Sequence, residues 1–141
     1  MATITAIRYH DISTGHVVHG HESKCAHLHG HNYRIYFTIA SDELDAVGRV
    51  MDFSVIKQKL CLWLEEEWDH KFLIWSKHEI AHLLYSLDIR GVVLTPFNPT
   101  AENMALYLLE EVAPAVLAGT GCRLTHVRVE ETRKCSAEVH L

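Results

Sequence analysis

The clearest pattern along this chain is an alternation of apolar and polar side chains over residues 31–40. One parity consists of His31, Tyr33, Ile35, Phe37 and Ile39. A period of two is typical of a half-buried β-strand. Residues 3–10, 124–131 and 135–141 are further predicted strands, the last two joined by a tight turn at Arg133-Lys134. The pattern therefore predicts four strands, two near each end of the chain.

Between the two pairs of strands the apolar residues recur at helical spacing. Asp52 is a suitable N-cap for a helix that runs to about Trp68. Pro99 opens a second helix, with Asn98 or Thr100 as its cap. The chain thus predicts two long helices that follow one another.

The remaining segments are predicted connections. Residues 11–30 are polar and rich in His and Gly, which indicates a loop, and residues 42–49 form a polar connection. Residues 70–99 are irregular, with a short helix near 78–86 and an extended stretch at 92–94.

The predicted order is strand, strand, helix, helix, strand, strand. This order favours an α+β fold, a four-stranded antiparallel sheet with two long helices on one face. Residues 1–141 form a single domain, because no repeat, low-complexity tract or linker divides them. A four-stranded sheet leaves two open edges, so we expect pairing between subunits.

Composition narrows the classes of partner. The chain has 141 residues and a formal net charge of -5, which argues against nucleic acid or an anionic membrane as a partner. No apolar run approaches the ~20 residues of a membrane span, and the first residues have no signal-peptide pattern. The four cysteines are most simply reduced thiols. We therefore expect a cytoplasmic protein.

His29-Gly30-His31 opens the clearest predicted strand. Residues i and i+2 of a strand point the same way, roughly 7 Å apart along the backbone. Both imidazoles should therefore project to one side, with Gly30 leaving room between them. Two converging neutral imidazoles are typical metal ligands, and we favour a metal site over two strand-end histidines without one.

The sequence leaves the rest of the ligand set open. Candidates for a third ligand are His16, His19, His21 and His27. Three histidines with one open position would form a catalytic zinc site. Cys25 is either a fourth ligand of a closed structural site or a base or nucleophile beside the metal. The other three cysteines are predicted to have no chemical role.

Asp69-His70 follows the first predicted helix directly. A histidine there is stabilised by the helix dipole, which is the simpler interpretation. The functional interpretation is a carboxylate that orients an imidazole acid or base.

Strand parity separates Glu130 from Glu131. Val127, Val129 and Glu131 share one face of the predicted strand, and Glu130 lies on the other. A carboxylate on the apolar side needs a partner. That partner is either water at the strand end or a ligand with two parallel N–H donors, such as a guanine-like ring.

These motifs together resemble the 6-pyruvoyl-tetrahydropterin synthase family. The matching segments are Ser13-Thr14-Gly15-His16, Cys25-x3-His29-Gly30-His31, Met51-Asp52-Phe53, Trp68-Asp69-His70, Pro99-Thr100-Ala101-Glu102-Asn103 and Glu131-Thr132. Each segment is short, but their order and spacing span nearly the whole chain. The resemblance implies the T-fold, in which sheets join edge to edge into a barrel and two trimers stack into a homohexamer.

The resemblance also implies a role for individual residues. The zinc ligands would be His16, His29 and His31, and Cys25 would be the general base. Asp69 and His70, from a neighbouring subunit, would complete the proton relay. Glu131 would anchor a pterin ring with help from the backbone near Thr100 and Ala101.

The spacing between Cys25 and His29 distinguishes branches of the family. Three intervening residues, where the animal enzymes have five, resemble the bacterial 6-carboxy-5,6,7,8-tetrahydropterin synthases. The implied reaction converts 7,8-dihydroneopterin triphosphate to the 6-carboxy product with release of acetaldehyde and triphosphate, on the pathway to 7-deazaguanines such as queuosine. The alternatives are a 6-pyruvoyl product, or a non-catalytic zinc-binding protein in which Cys25 is a fourth ligand.

Overall fold

A six-stranded mixed sheet is the main element of the computed structural model, which describes residues 2–141. Its strands are β1 (Thr5–His16), β2 (His29–Ser41), β3 (Phe72–Trp75), β4 (Val92–Thr95), β5 (Cys122–Glu130) and β6 (Ser136–His140). Their order across the sheet is β4-β3-β1-β2-β5-β6. The pairs β1–β2, β2–β5 and β5–β6 are antiparallel. The pairs β1–β3 and β3–β4 are parallel.

The α+β class is confirmed, but the prediction of a four-stranded sheet was wrong. The sheet gains β3 and β4, two strands of four residues each that lie beside β1. The stretch at 92–94 was predicted as extended and belongs to β4, whereas β3 was not predicted. Strands this short carry too few residues for a period of two to be recognised.

The prediction of a loop over residues 11–30 was also wrong at both ends. β1 continues to His16 and β2 begins at His29, so the two strands pair over their whole length from Thr5 with Ala40 to His16 with His29. The connection between them is residues 17–28, which include a short 3-10 helix at Lys24–Ala26.

Two long helices, at residues 53–67 and 101–116, are confirmed. The first consists of α1 (Phe53–Ile56), a π-helical turn (Lys57–Cys61) and α2 (Leu62–Glu67), and Asp52 caps it by accepting from the Ser54 backbone N–H. A short α3 (Ala81–Leu87) follows. The second long helix consists of α4 (Ala101–Tyr107), a π-helical turn (Leu108–Val112) and α5 (Ala113–Val116). Thr100 is its N-cap.

Both long helices pack on the same face of the sheet. The sheet contributes alternate residues of β2 and β5, and the helices contribute an apolar stripe each. The fully buried members include Tyr33, Ile35, Phe37, Val127, Val129, Ile56, Leu64, Met104 and Leu108. The opposite face of β1 and β2 remains exposed, with Ile7 and Tyr9 about half accessible. No helix of residues 2–141 is long and apolar enough to cross a membrane.

Candidate functional site

Three histidines converge where the C-terminal end of β1 pairs with the N-terminal end of β2, on the face of the sheet that the helices cover. His16 is the last residue of β1 and lies opposite His29, and His31 lies opposite Thr14. The ring centroids are 4.5 Å apart for His16 and His29, 4.9 Å for His29 and His31, and 5.2 Å for His16 and His31. The predicted shared side of His29 and His31 is present, and His16 joins them from the neighbouring strand.

Gly30 has a different role from the one predicted. It lies on the opposite face of β2 from the two imidazoles, so it does not leave room between them. A Cβ at this position would come within 3.0 Å of the Thr14 carbonyl oxygen and 3.3 Å of the Gly15 Cα. Gly30 therefore allows β1 and β2 to approach closely beside the histidines.

Backbone carbonyls orient two of the rings. Nδ1 of His16 lies 2.7 Å from the Pro99 carbonyl oxygen, and Nδ1 of His29 lies 2.7 Å from the His27 carbonyl oxygen. A carbonyl accepts only, so in each ring Nδ1 carries the proton. The lone pair is then on Nε2, the nitrogen that faces the cluster.

The three Nε2 atoms have the character of metal ligands. All three are buried without a hydrogen-bond partner, and the ligand atoms lie within 4.8 Å of one another. Burial, followed by the charges of the neighbouring histidines, lowers the pKa of His16 to about 4. Burial also lowers the pKa of His31. Neutral imidazoles with unpaired, converging lone pairs fit a metal ion such as zinc.

The other candidate histidines lie outside this cluster. The His19 ring packs against Trp75 and His78, at centroid distances of 5.5 and 5.2 Å. Nδ1 of His21 accepts from the Ser23 backbone N–H at 2.9 Å. His27 contributes its carbonyl oxygen to His29. His27 therefore supports the cluster through its carbonyl oxygen, and the side chains of His19 and His21 make their contacts elsewhere.

Glu131 lies beside the cluster, on the face that strand parity predicted. Its Oε1 is 3.5 Å from Nε2 of His16 and 3.8 Å from Nε2 of His31. Glu130 is instead 3.8 Å from the Arg128 guanidinium, on the other face of β5. Glu131 is therefore the carboxylate of the adjacent pair that lies beside the histidines.

Tyr33 is a member of the site that sequence reasoning treated only as a core residue. Its side chain is fully buried, and its ring lies edge-on to His16 and His31 at centroid distances of 5.8 and 5.5 Å. Burial, and then the charges of Glu131 and Cys25, raise the pKa of its hydroxyl. The signal was available, because Tyr33 is two residues beyond His31 and shares its strand face.

Cys25 lies in the 3-10 helix and is half-buried. The Val18 backbone N–H donates to the Cys25 carbonyl at 2.9 Å, which brings this turn back to the end of β1. The group of converging ligand atoms in residues 2–141 contains the three histidines and not Cys25. The structure therefore places the thiol outside the ligand cluster, on a turn whose backbone is tied to the residues that follow β1.

Asp69 and His70 form a carboxylate–imidazole pair where the chain leaves the first long helix. Oδ2 of Asp69 is 3.0 Å from Nδ1 of His70, while Oδ1 accepts from the Ser13 backbone N–H at 2.8 Å. His70 has a φ of 60°, and its backbone N–H donates to the Ser13 carbonyl at 2.7 Å. This left-handed turn fixes the pair to β1 and leaves the His70 side chain 81% exposed.

The start of the second long helix contacts the histidine cluster through Pro99. Thr100 accepts from the Asn103 backbone N–H at 3.1 Å, and Ala101 is buried. The predicted ring-binding positions Thr100 and Ala101 thus directly follow the residue whose carbonyl orients His16.

An open cleft of about 1000 Å³ joins several of these groups. His31, Asp69, His70, Glu130 and Glu131 all line it. Within one chain the Asp69–His70 pair therefore shares a cleft with part of the cluster. Arg34 and Arg133 also line the cleft, but Arg34 is paired with Asp11 at 2.8 Å. Arg133 was not singled out from the sequence, where it is simply part of a turn.

The chain is similar to known proteins over nearly its full length. The family model described as 6-pyruvoyl tetrahydropterin synthase matches residues 5–140. A 6-carboxy-5,6,7,8-tetrahydropterin synthase of Rickettsia bellii is 35% identical, covering 96% of this chain and 99% of the relative.

Solved structures show the same fold. An uncharacterised protein of Wolinella succinogenes has a TM-score of 0.86 at 23% identity, covering 99% of both chains. The 6-pyruvoyl tetrahydropterin synthase of Caenorhabditis elegans has a TM-score of 0.68 at 24% identity, covering 100% of this chain and 97% of that one.

Proposed function

Because this chain belongs to the 6-pyruvoyl tetrahydropterin synthase family, we propose that it is a zinc-dependent 6-carboxy-5,6,7,8-tetrahydropterin synthase. The proposed reaction converts 7,8-dihydroneopterin triphosphate to 6-carboxytetrahydropterin and releases acetaldehyde and triphosphate, on the pathway to 7-deazaguanines such as queuosine. The observation that carries this proposal is the convergence of three buried, unpaired Nε2 atoms beside a carboxylate, in a chain 35% identical to a relative of that name.

His16, His29 and His31 would hold the zinc ion. A zinc ion bound by three histidines retains an open position and can polarise oxygen atoms of the substrate as a Lewis acid. The Pro99 and His27 carbonyls support this role, because they keep the His16 and His29 lone pairs directed at the cluster.

Cys25, Asp69 and His70 would transfer protons. A thiol outside the ligand cluster but near it is suited to act as a base on a substrate side chain, and general base catalysis contributes about 10²- to 10⁴-fold. Asp69 holds Nδ1 of His70, so the exposed Nε2 of that ring is the atom available for exchange of a proton. In the assembled protein this pair would serve the site of a neighbouring subunit.

Glu131 would anchor the pterin ring. A carboxylate accepts two parallel N–H bonds, and charge-assisted bonds of this kind are stronger than neutral ones. The backbone near Thr100 and Ala101 would complete the ring site. The enzyme would be a cytoplasmic homohexamer, a dimer of trimers, with a small-molecule substrate and neither a nucleic acid nor a membrane as a partner.

The proposal is tested by measuring metal content and turnover on the same variants. His31→Ala should lose both, because it removes one ligand of three. Cys25→Ala should retain the metal and lose turnover of 7,8-dihydroneopterin triphosphate by about 10²- to 10⁴-fold. His19→Ala is the matched control and should retain both.

Two outcomes would contradict the assignment. Loss of the metal from Cys25→Ala would indicate a closed structural site in a non-catalytic zinc-binding protein. Full metal affinity in His31→Ala would mean that the ligand set is wrong.

A further inference from the structure

The side chain of Asn98 connects two parts of the molecule that are 79 residues apart in the chain. Its Oδ1 accepts from the His19 backbone N–H at 2.9 Å, and its Nδ2 donates to the His19 carbonyl at 3.0 Å. One amide side chain, which offers both an acceptor and a donor, thus binds both backbone groups of His19. From the sequence, Asn98 was only an alternative cap of the second long helix, and the structure gives that cap to Thr100.

The peptide group of Asn98 is itself fixed by the start of the second long helix. Its carbonyl accepts from the Thr100 backbone N–H at 2.8 Å and from Nδ2 of Asn103 at 2.9 Å. Pro99, the next residue, is the one whose carbonyl oxygen lies 2.7 Å from Nδ1 of His16. This segment therefore contacts a ring of the histidine cluster through one residue and the connection between β1 and β2 through the residue before it.

His19 lies in a tight turn that leads to Cys25. The His21 backbone N–H donates to the Val18 carbonyl at 3.4 Å, and Gly20 has a φ of 79°, so the chain reverses its direction here. The Val18 N–H donates in turn to the Cys25 carbonyl at 2.9 Å. The residue that Asn98 binds is therefore next to the residue that holds the Cys25 turn.

Asn98 supplies the hydrogen bonds that join residues 18–28 to the helical part of the molecule. Among residues 2–141, the other hydrogen bonds of 18–28 stay within the β1–β2 hairpin. The His19 ring adds contacts with Trp75 and His78, and every residue of 18–28 is exposed or half-buried. A loop with so little buried surface depends on its hydrogen bonds for a fixed position.

We propose that Asn98 is a positioning residue of the site: its side chain holds the turn that carries Cys25 in a fixed position relative to the histidine cluster. The inference rests on the proposed function, because it assumes that the Cys25 thiol acts on a substrate bound at the metal. A displacement of about 1 Å at a reacting group can cost about 10²-fold in rate, so a base on an exposed turn requires such a tie. Asn98 itself is assigned no contact with the reacting atoms.

The test is Asn98→Ala in the zinc-loaded protein, with alkylation of Cys25 by iodoacetamide followed by mass spectrometry of its peptide. We expect alkylation to be about 10-fold faster, because the loss of two hydrogen bonds favours local opening of the turn. The kcat for 7,8-dihydroneopterin triphosphate should fall about 10- to 100-fold. Zinc affinity should be unchanged, because the three histidines and the Pro99 carbonyl remain. Binding of neopterin, a pterin without the triphosphate, should be unchanged as well.

Asp45→Ala is the matched control. Oδ1 of Asp45 also accepts from two backbone N–H groups of an exposed loop, those of Val47 and Arg49 at 3.0 and 2.9 Å. This variant loses comparable hydrogen bonds in the connection before the first long helix, so Cys25 alkylation and kcat should remain those of the wild type. Asn98→Asp, which keeps the shape of the side chain and loses the donor to His19, should change both quantities in the same direction as Asn98→Ala.

The outcomes separate this inference from the proposed function. Equal alkylation rates in Asn98→Ala and the wild type would overturn the role of Asn98, and faster alkylation with an unchanged kcat would overturn its link to catalysis. Loss of zinc or of neopterin binding from Asn98→Ala, or equally fast alkylation in Asp45→Ala, would make the effect a general structural one. A wild-type protein without turnover would contradict the proposed function, while the alkylation rates would still decide whether Asn98 holds the turn.

Discussion

The protonation of individual histidines decides whether this cluster can hold a metal. Nδ1 of His16 faces the carbonyl of Pro99, which is 83 residues away in sequence, and this contact fixes the tautomer. Burial keeps the same ring neutral by lowering its pKa to about 4. Burial disfavours the charged imidazolium, so the buried ring stays neutral at pH values where an exposed histidine would be protonated. The Nε2 lone pair of His16 therefore remains available to a metal.

The metal-free protein should lose stability as the pH falls from about 6.5 towards 4. In this range His16 binds a proton in the unfolded chain, where its pKa is 6.5, but not in the folded chain, where its pKa is about 4. Protons therefore favour the unfolded state, by roughly 3 kcal/mol at the lower end of the window. Urea unfolding at several pH values measures this effect.

His16→Gln is the control for that measurement, because it removes the largest of these contributions and should make the profile shallower, while His31, whose pKa burial also lowers, retains part of the slope. A wild-type free energy of unfolding that does not change between pH 6.5 and 4 would show that His16 is not buried in its neutral form.

At the scale of elements, the end of β1 shows why part of the site could not be predicted from the sequence. Ile12, Thr14 and His16 face the helices, but two of these three are polar. Thr14 donates to the Trp68 carbonyl at 3.0 Å, and His16 joins the cluster. At this end of β1, polar residues that serve the site stand where apolar residues would have continued the alternating pattern of a strand.

β2 and β5 retained the alternating pattern, and with it their part of the site. His29, His31 and Glu131 followed from a period of two, because β2 and β5 keep apolar residues on the buried side beyond them. His16 could be selected among four histidines only through the family resemblance. The pairing of β1 with β2 depends on long-range contacts that a single strand pattern does not specify.

Strand parity predicts different effects for two adjacent glutamates. Glu131→Gln should weaken neopterin binding by about 10- to 100-fold, because an amide presents a donor where the ring needs an acceptor. Glu130→Gln is the matched control and should have a smaller effect, since Glu130 lines the same cleft but contacts Arg128 instead of the histidine Nε2 atoms. Equal effects would refute the parity argument, and a larger effect of Glu130→Gln would require a ring site on the opposite face.

At the scale of the whole molecule, β6 is an edge of the sheet and available to another chain. The Glu131 backbone N–H donates to the Cys135 carbonyl, and the Leu141 N–H donates to the Thr125 carbonyl, at 3.1 and 3.0 Å. The backbone groups of the odd-numbered residues of β6 therefore form the hydrogen bonds to β5. The N–H groups of the even-numbered residues 136, 138 and 140 then point outward, as edge-to-edge assembly of sheets would require.

Glu138→Pro should dissociate the proposed oligomer. Proline removes one outward N–H group and leaves the bonds between β5 and β6 intact. Light scattering after size exclusion should show a mass about six times that of one chain for the wild type and a lower mass for this variant. Glu138→Ala retains the N–H group and should remain assembled, while an unchanged mass for Glu138→Pro would exclude β6 as the joining edge.

The identity of the product tests the central claim most directly. The zinc-loaded protein is incubated with 7,8-dihydroneopterin triphosphate, and acetaldehyde and the pterin products are identified by mass. We expect acetaldehyde to appear in step with substrate consumption and a 6-carboxy pterin to remain, because the three residues between Cys25 and His29 match the branch that cleaves the side chain. A 6-pyruvoyl product without acetaldehyde would contradict the assignment while leaving the fold and the histidine cluster as described.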